Sequence, residues 1–375
     1  MKKLRVGIVG YRGMVGGVLM DRFFTEGDFI DFEFSLLSTS QAGSPTGDDR
    51  IADPTVRDAK SIDALKTYEV IVSCQGGDYT AATLPALRSA GWKGYWVDAA
   101  SHLRMQDDTM ILLDPLNGDA LREGIKSGIK NYAGGNCTVS LLLLALHGLV
   151  KADLVEWVSS QTYQAASGAG AAAMQSLLDQ MGELSGLSRH LQSEKNSISI
   201  LEVEKKLVRH QRGLVEMPMG APLAANLIPW IDSELENGQS REEWKAMVEA
   251  NKILGREGAL MPIDGNCVRV GAMRCHSQAL TIKLRRNVHL AEIEERLASA
   301  NEWVKVIPNH KADTVRQLSP LAVSGSLDIA IGRLRKLQMG DEYLSAFTVG
   351  DQLLWGAAEP LRRFLRILRE EIALV

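Results

Sequence analysis

The sequence predicts a two-part α/β protein, a doubly wound parallel sheet of dinucleotide-binding type followed by a second α+β domain. Three observations carry this. The chain opens on a buried-strand run, a glycine turn and an apolar helix pattern. Strand and helix patterns then alternate up to residue 133 and change character from Cys137 onward. At 375 residues the chain exceeds the usual size of one hydrophobic core, so two domains are expected.

Leu4-Arg-Val-Gly-Ile-Val9 reads as the buried strand. Gly10-Tyr-Arg-Gly13-Met-Val-Gly16 follows, and Val15, Val18, Leu19, Arg22 and Phe23 then recur at helical spacing. The spacing is Gly-x-x-Gly-x-x-Gly. Glycines so placed allow a tight turn and the close approach of a pyrophosphate to a helix N-terminus. Strand before and helix after raise a weak motif to a moderate one, with an ordinary strand-to-helix turn as the plain alternative. The second strand, Phe32 to Leu37, ends in Ser38-Thr39-Ser40, where an NAD enzyme usually offers an acid to the ribose hydroxyls. Hydroxyls with Arg12 nearby suit a 2′-phosphate instead, so NADP is favoured, although such a triplet also makes a simple polar loop. Glu69 to Cys74 is a further strand, with Gln75-Gly76-Gly77 after it, and Tyr95 to Ala100 is another, followed by Ser101-His-Leu-Arg104.

Gly134-Gly-Asn-Cys-Thr-Val-Ser140 brings one cysteine from a glycine-rich turn onto the start of a helix, whose apolar positions are Val139, Leu142, Leu143, Leu146 and Leu149. A thiol there meets unpaired N–H groups and the positive end of the macrodipole, which favour the nucleophilic thiolate. The same N–H groups are available to an oxyanion. From its flanks alone Cys137 is equally a nucleophile or a small apolar filler. Leu154 to Gln164 reads as a long strand running into Ala165-Ala-Ser-Gly-Ala-Gly170, and residues 171 to 212 read as helical. Ser240 with Glu243 forms a capping box. Glu242 and Lys245 share a helix face, where spacing alone describes a surface ion pair of little worth. Gly265 to Gly271 and Arg274 to Leu284 read as strands. Arg269 and His276 face opposite sides of one straight strand, so a shared site requires a bend, for which Gly271 is the candidate. From Pro360 to Val375 an amphipathic helix carries Leu361, Phe364, Leu365, Leu368 and Ile372 on one face and arginines elsewhere. It reads as a helix docked on the first domain rather than on a membrane or partner.

With 45% hydrophobic and 23% charged residues and a net charge of -4, the chain offers no global basic field for nucleic acid or membrane. The ligand is expected to be small. No apolar run is long enough for a signal peptide or a membrane span, which points to the cytoplasm. Cys74, Cys137, Cys267 and Cys275 are expected to be reduced, and no Cys-x-x-Cys pair suggests a metal.

Six segments taken together resemble one enzyme family. They are Gly10 to Gly16, Gly134 to Ser140, Tyr163-Gln-Ala-Ala-Ser-Gly168, Arg241-Glu-Glu-Trp-Lys245, Cys267-Val-Arg-Val-Gly271 with Arg274-Cys-His-Ser-Gln278, and Val349-Gly-Asp-Gln-Leu-Leu-Trp-Gly356. Their order and spacing are similar to the aspartate-β-semialdehyde dehydrogenases of the Gram-negative bacterial type. Tyr11 stands where the family more often has tryptophan. The resemblance implies reversible NADP-linked conversion of aspartate β-semialdehyde and phosphate to β-aspartyl phosphate, on the route to lysine (through diaminopimelate), methionine and threonine. It implies Cys137 as nucleophile, His276 as acid/base with a pKa near neutrality, and Gln164 as the group that orients the intermediate. It also implies substrate contacts from Arg269 (α-carboxylate), Glu242 (amine), Arg104 and Lys245 (phosphate) and Asn136. Cofactor contacts are expected from Gly10, Arg12, Gly13, Met14, Val15, Gly16, Ser38, Thr39, Ser40, Gln75, Ser167, Gly168 and Gln352. A homodimer is implied. The expected division is residues 1–135 plus 357–375 for NADP, and 136–356 for catalysis and dimerisation. Rival readings are an N-acetyl-γ-glutamyl-phosphate reductase, which has little use for Glu242, and a non-catalytic NADP-binding sensor with Cys137 as redox switch.

Overall fold

Buried β-branched runs and intervening helices build the first sheet, as their pattern predicts. The computed structural model describes residues 3–193, 198–214, 217–256 and 258–373. Within them β1 (Leu4–Val9), β2 (Phe32–Ser38), β3 (Arg57–Asp58), β4 (Val70–Ser73), β5 (Tyr95–Asp98), β6 (Thr109–Leu112) and β7 (Asn131–Gly134) form a sheet in the order β3-β2-β1-β4-β5-β7-β6. Every pairing in it is parallel. Strand order reverses at β1/β4, the place where doubly wound sheets open a ligand crevice.

The C-terminal helix Glu359–Ala373 returns to this sheet. Leu361, Phe364, Leu365 and Leu368 are fully buried in one cluster with Val6, Ile8 and Phe23. Its basic face is tied down as well: Arg362 pairs with Asp28 at 3.0 Å, Arg363 with Asp114 at 2.7 Å and Arg366 with Asp31 at 3.1 Å. A membrane or partner is therefore not needed to explain these arginines. Residues 374–375, the end of the expected helix, lie outside the described residues.

The second sheet is mixed. β8 (Val155–Gln164), β9 (Leu227–Ile228), β10 (Ile263–Asp264), β11 (Cys267–Val270), β12 (Cys275–Leu284), β13 (Val304–Val306), β14 (Ile329–Leu337) and β15 (Gly340–Asp351) lie in the order β13-β14-β15-β12-β8-β11-β9, with β10 also on β8. Two expectations change here. The helical stretch from 171 to 212 is two helices, Ala171–Ser193 and Ile200–Arg212, the second opened by its own capping box of Ser199 and Glu202; residues 194–197 lie outside the description. Arg269 and His276 do not share one bent strand. β11 runs parallel to one edge of β8 and β12 antiparallel to the other, so the short turn around Gly271 crosses the end of β8.

The helix that starts at Cys137 ends at Ala145, and all eight of its residues after the cysteine are buried. Periodicity implied one apolar stripe. The helix is apolar all round because it lies between the second sheet and the turn Leu354–Ala358, with no face toward water. No helix of the described residues is long and apolar enough to cross a membrane.

Candidate active site

Gly10, with φ +78°, closes β1 against β4: a Cβ here would lie 2.8 Å from the Cys74 carbonyl carbon and 2.9 Å from the Gln75 nitrogen. At Gly16 a Cβ would meet the Gly10 oxygen at 2.2 Å. Both positions require glycine. The following helix, Met14–Glu26, has Gly13 at its N-cap, no side-chain cap and no acid in its first turn. Its first N–H groups therefore remain directed at the crevice, where an anionic group is favoured. Gly13, Met14, Val15 and Gln75 thus gather around one switch point, with exposed Arg12 beside it.

One strand further out, the Ser38 hydroxyl accepts from the N–H groups of Ser40 and Gln41, both at 3.2 Å, which shapes the Ser38–Ser40 turn. The structure adds an acid that the C-terminal end of β2 lacks. Edge strand β3 registers Asp58 against Ser38, and the Asp58 carboxylate accepts the Lys60 N–H at 2.9 Å.

Cys137 is the first residue of its helix, capped by Asn136. The Asn136 Oδ1 accepts the N–H of Thr138 at 2.9 Å and of Val139 at 3.2 Å. These two N–H groups, expected to be open to an oxyanion, are therefore spent on the cap. Gly356 packs on the Cys137 turn, where a Cβ would sit 2.8 Å from the Cys137 Cβ. The residue keeps some accessible surface, yet the thiol is enclosed enough that burial pushes it up to about 12. The Glu242 carboxylate adds to this rise, and the Arg104, Arg269 and Lys245 cations oppose it. The macrodipole alone does not yield a thiolate here; the balance of neighbouring charges decides it.

Two of those four charges, Glu242 and Lys245, come from one helix, Arg241–Ile253, with the capping box of Ser240 and Glu243 in place. Glu242 and Lys245 are both buried, unlike the surface pair their spacing suggests. Glu242 accepts from Asn136 Nδ2 at 2.9 Å, Gln164 Nε2 at 3.3 Å and Lys245 Nζ at 3.0 Å. Lys245 also donates to Asp232 at 2.6 Å. Burial pulls Lys245 down, but Glu242 and Asp232 outweigh it and raise its pKa. Arg104 donates from Nε to the Gly134 carbonyl at 2.7 Å and from Nη1 to Glu249 at 3.1 Å. Three cations face three carboxylates, so the pocket is nearly neutral rather than strongly cationic.

The second sheet supplies the rest. β11 registers Arg269 against Gln164, and β12 registers Ser277 against Tyr163, which sets His276 opposite Gln164 one residue on. Directly opposed residues point to the same face, so Gln164, Arg269 and His276 form one row across three strands. Ala165 is gripped from both sides: its oxygen accepts from Arg269 at 2.8 Å and its N–H donates to His276 Nδ1 at 3.0 Å. An acceptor Nδ1 places the proton of the neutral ring on Nε2, which is buried without a partner. Burial, with Arg269 adding, lowers the His276 pKa to about 3. This overturns the expected pKa near neutrality, because the ring has neither solvent nor a carboxylate to hold a second proton. Gly168 closes the row, since a Cβ there would lie 2.7 Å from Arg269 Nη1 and 3.1 Å from His276 Nε2. Gln352 Nε2 donates to the Ser167 hydroxyl at 2.8 Å, joining the last two expected cofactor positions.

Asp232, Glu249, Gly356 and Ala165 were not legible as site residues. Ala165 and Gly356 lie in the segments that carry the resemblance, and Glu249 stands seven residues and two turns beyond Glu242 on the same helix face; Asp232 left no signal.

A dinucleotide crevice joined to a half-buried cysteine among paired charges fits the class of nicotinamide-dependent oxidoreductases. Residues 5–124 match the NAD binding domain of the semialdehyde dehydrogenases, and residues 146–355 match their dimerisation domain. Aspartate semialdehyde dehydrogenase from Francisella tularensis is 48% identical, with 98% of this chain and 100% of that chain covered and a TM-score of 0.92. The chain belongs to the aspartate semialdehyde dehydrogenase family. The fold also recurs in aspartate semialdehyde dehydrogenase II of Vibrio cholerae, at 21% identity over 99% of both chains with a TM-score of 0.79. It recurs again in the Candida albicans enzyme solved with NADP, at 16% identity over 100% of both chains with a TM-score of 0.68. These two show likeness of fold alone.

Proposed function

We propose that this chain is an NADP-dependent aspartate-β-semialdehyde dehydrogenase that works through a Cys137 thioester. The observation that carries the reading is the placing of Cys137, at a capped helix start within electrostatic reach of Arg269, Glu242, Arg104 and Lys245. In the biosynthetic direction the Cys137 sulfur adds to the acyl carbon of β-aspartyl phosphate, and the departing phosphate takes the thiol proton, giving the thioester and hydrogen phosphate. The nicotinamide, when bound, supplies or accepts the hydride. Collapse of the resulting alkoxide then expels the thiolate and frees the aldehyde. His276 serves this cycle as a neutral Nε2–H donor to the developing oxyanion, and it need not become charged.

Arg269 suits the substrate carboxylate through two parallel hydrogen bonds, although Nη1 also holds Ala165. Glu242, with four lone-pair sites and three donors in place, keeps room for the substrate amine. A free amine has no counterpart in an N-acetylated substrate, so Glu242 favours the aspartyl reading. Arg104 and Lys245 receive the phosphate, and Asn136 and Gln164 hold Glu242 in place. Gly10, Arg12, Gly13, Met14, Val15 and Gly16 hold the pyrophosphate, Ser38 to Ser40 the 2′-phosphate, and Gln75, Ser167, Gly168 and Gln352 the nicotinamide half. We assign residues 1–135 and 357–375 to the cofactor and 136–356 to catalysis. The working form is a homodimer in the cytoplasm, feeding lysine, methionine and threonine synthesis.

The test runs the reaction backwards without phosphate. NADP and aspartate semialdehyde should give a burst of NADPH near one equivalent per subunit and then stall, and phosphate should restore turnover. Cys137→Ser should abolish the burst, whereas Cys74→Ser, Cys267→Ser and Cys275→Ser should retain it. A Cys137→Ala protein that still bursts defeats the covalent mechanism; no turnover at all favours the redox-sensor alternative.

A further inference from the structure

Glu249 is buried, with 2% of its surface exposed, and both of its oxygens are committed. Oε2 accepts the Asn136 backbone N–H at 2.7 Å, and Oε1 accepts from Arg104 Nη1 at 3.1 Å. The first partner is the residue that caps the Cys137 helix; the second is the arginine assigned above to phosphate. Arg104 is further tied to the nucleophile turn by its bond to the Gly134 carbonyl, two residues before Asn136. Lys252, three residues beyond Glu249, donates to the Arg104 and Gln106 carbonyls, both at 2.7 Å. Positions 242, 245, 249 and 252 thus form one helix face laid across the site. Glu242 and Lys245 are assigned above to substrate groups, while Glu249 bonds to other site residues.

We propose that Glu249 is a positioning residue for acyl transfer to phosphate: it fixes the distance between the anion-binding Arg104 and the turn that carries Cys137. This rests on the assignments of Cys137 and Arg104 made above. In the oxidative direction, formation of the thioester requires Cys137 and the nicotinamide to be in register. Its cleavage requires the phosphate held by Arg104 to meet the acyl carbon held by Cys137, and a misplacement of about 1 Å costs on the order of a hundredfold in such a step. Glutamine is the sharp replacement. Its single oxygen can serve one donor, and its NH2 then opposes the N–H of the other, at unchanged volume.

The charge change separates positioning from binding. Loss of the carboxylate leaves the pocket more cationic, so phosphate half-saturation is expected to hold or fall. Glu249→Gln should therefore slow thioester phosphorolysis at saturating phosphate at least tenfold, without raising half-saturation, while the phosphate-free NADPH burst keeps its amplitude and slows less than threefold. A structural role alone instead lowers burst amplitude and melting temperature, with the rate per active site unchanged, and that pattern overturns the proposal. Should the glutamine variant not fold, Glu249→Asp keeps the charge but lacks the reach for both donors. Slowed phosphorolysis with an intact burst then supports the proposal, and parent-like phosphorolysis overturns it.

Arg104→Lys tells the two layers apart. If it slows phosphorolysis and adds little in the Glu249→Gln background, the tie is supported. If it slows phosphorolysis while Glu249→Gln does not, the tie is wrong and the assignment of Arg104 stands. If Arg104→Lys leaves phosphorolysis unchanged, the phosphate assignment itself has failed, and the proposal falls with it.

Discussion

Lowering the pH from 7 to 5 should separate His276 from an ordinary histidine. Its folded pKa is lowered from 6.5 to about 3, by burial first and by Arg269 second. Between those two values the unfolded chain binds a proton that the folded chain refuses, so stability rises with pH across that window and is lost as pH falls. At pH 5 an unperturbed imidazole is almost fully protonated and the folded ring almost fully neutral. The linkage integral between pH 7 and pH 5 is then roughly 2 kcal/mol per subunit from this one residue. The bond from the Ala165 N–H works in the same direction, since a proton on Nδ1 would face another donor. His276→Asn keeps an acceptor near the Nδ1 position and removes the titration. Urea unfolding of parent and variant at both pH values, at one protein concentration, should show a pH dependence smaller in the variant by about this amount. Nitrogen-15 spectra of histidine-labelled protein, with the variant for assignment, should show His276 as the Nε2–H form and unchanged down to pH 5. A His276 titration with a midpoint between pH 6 and pH 7, or equal loss of stability in both proteins, refutes the argument and restores the ring as a conventional acid/base.

Gly168→Ala places a methyl 2.7 Å from Arg269 Nη1 and 3.1 Å from His276 Nε2. Catalytic efficiency should fall about ten- to a hundredfold while the melting temperature shifts by only a few degrees; parent-like kinetics would show that neither group needs its observed position. Cofactor choice is tested by Ser38→Asp, which sets a carboxylate where the 2′-phosphate is assigned. The preference for NADP should drop at least tenfold in the ratio of kcat/KM values, and equal efficiency with both cofactors in the parent would remove the basis of the assignment.

Local sequence determined most of the elements and singled out Cys137 as a candidate nucleophile. Leu4 to Val9, apolar but for Arg5 and Gly7, buries its side chains as a central strand, and the glycines at 10 and 16 are required by backbone contacts within a few residues of them or one strand away. The capping box of Ser240 and Glu243 and the apolar face of the C-terminal helix are likewise short-range, so residue type and spacing sufficed. Charge state and partnership were not legible in this way. Spacing described Glu242 and Lys245 as a surface pair, because three residues on a helix define a shared face but not what covers it. Burial beneath Asn136 and Gln164, more than a hundred and nearly eighty residues away, came only from folding. The same holds for His276, whose tautomer and pKa depend on the Ala165 N–H and on Arg269 across β8. The sequence by itself named most of the groups proposed for the site; the tertiary structure added Asp232 and Glu249 and set the charge balance among them, because desolvation and Coulomb energy depend on distances that no local pattern encodes.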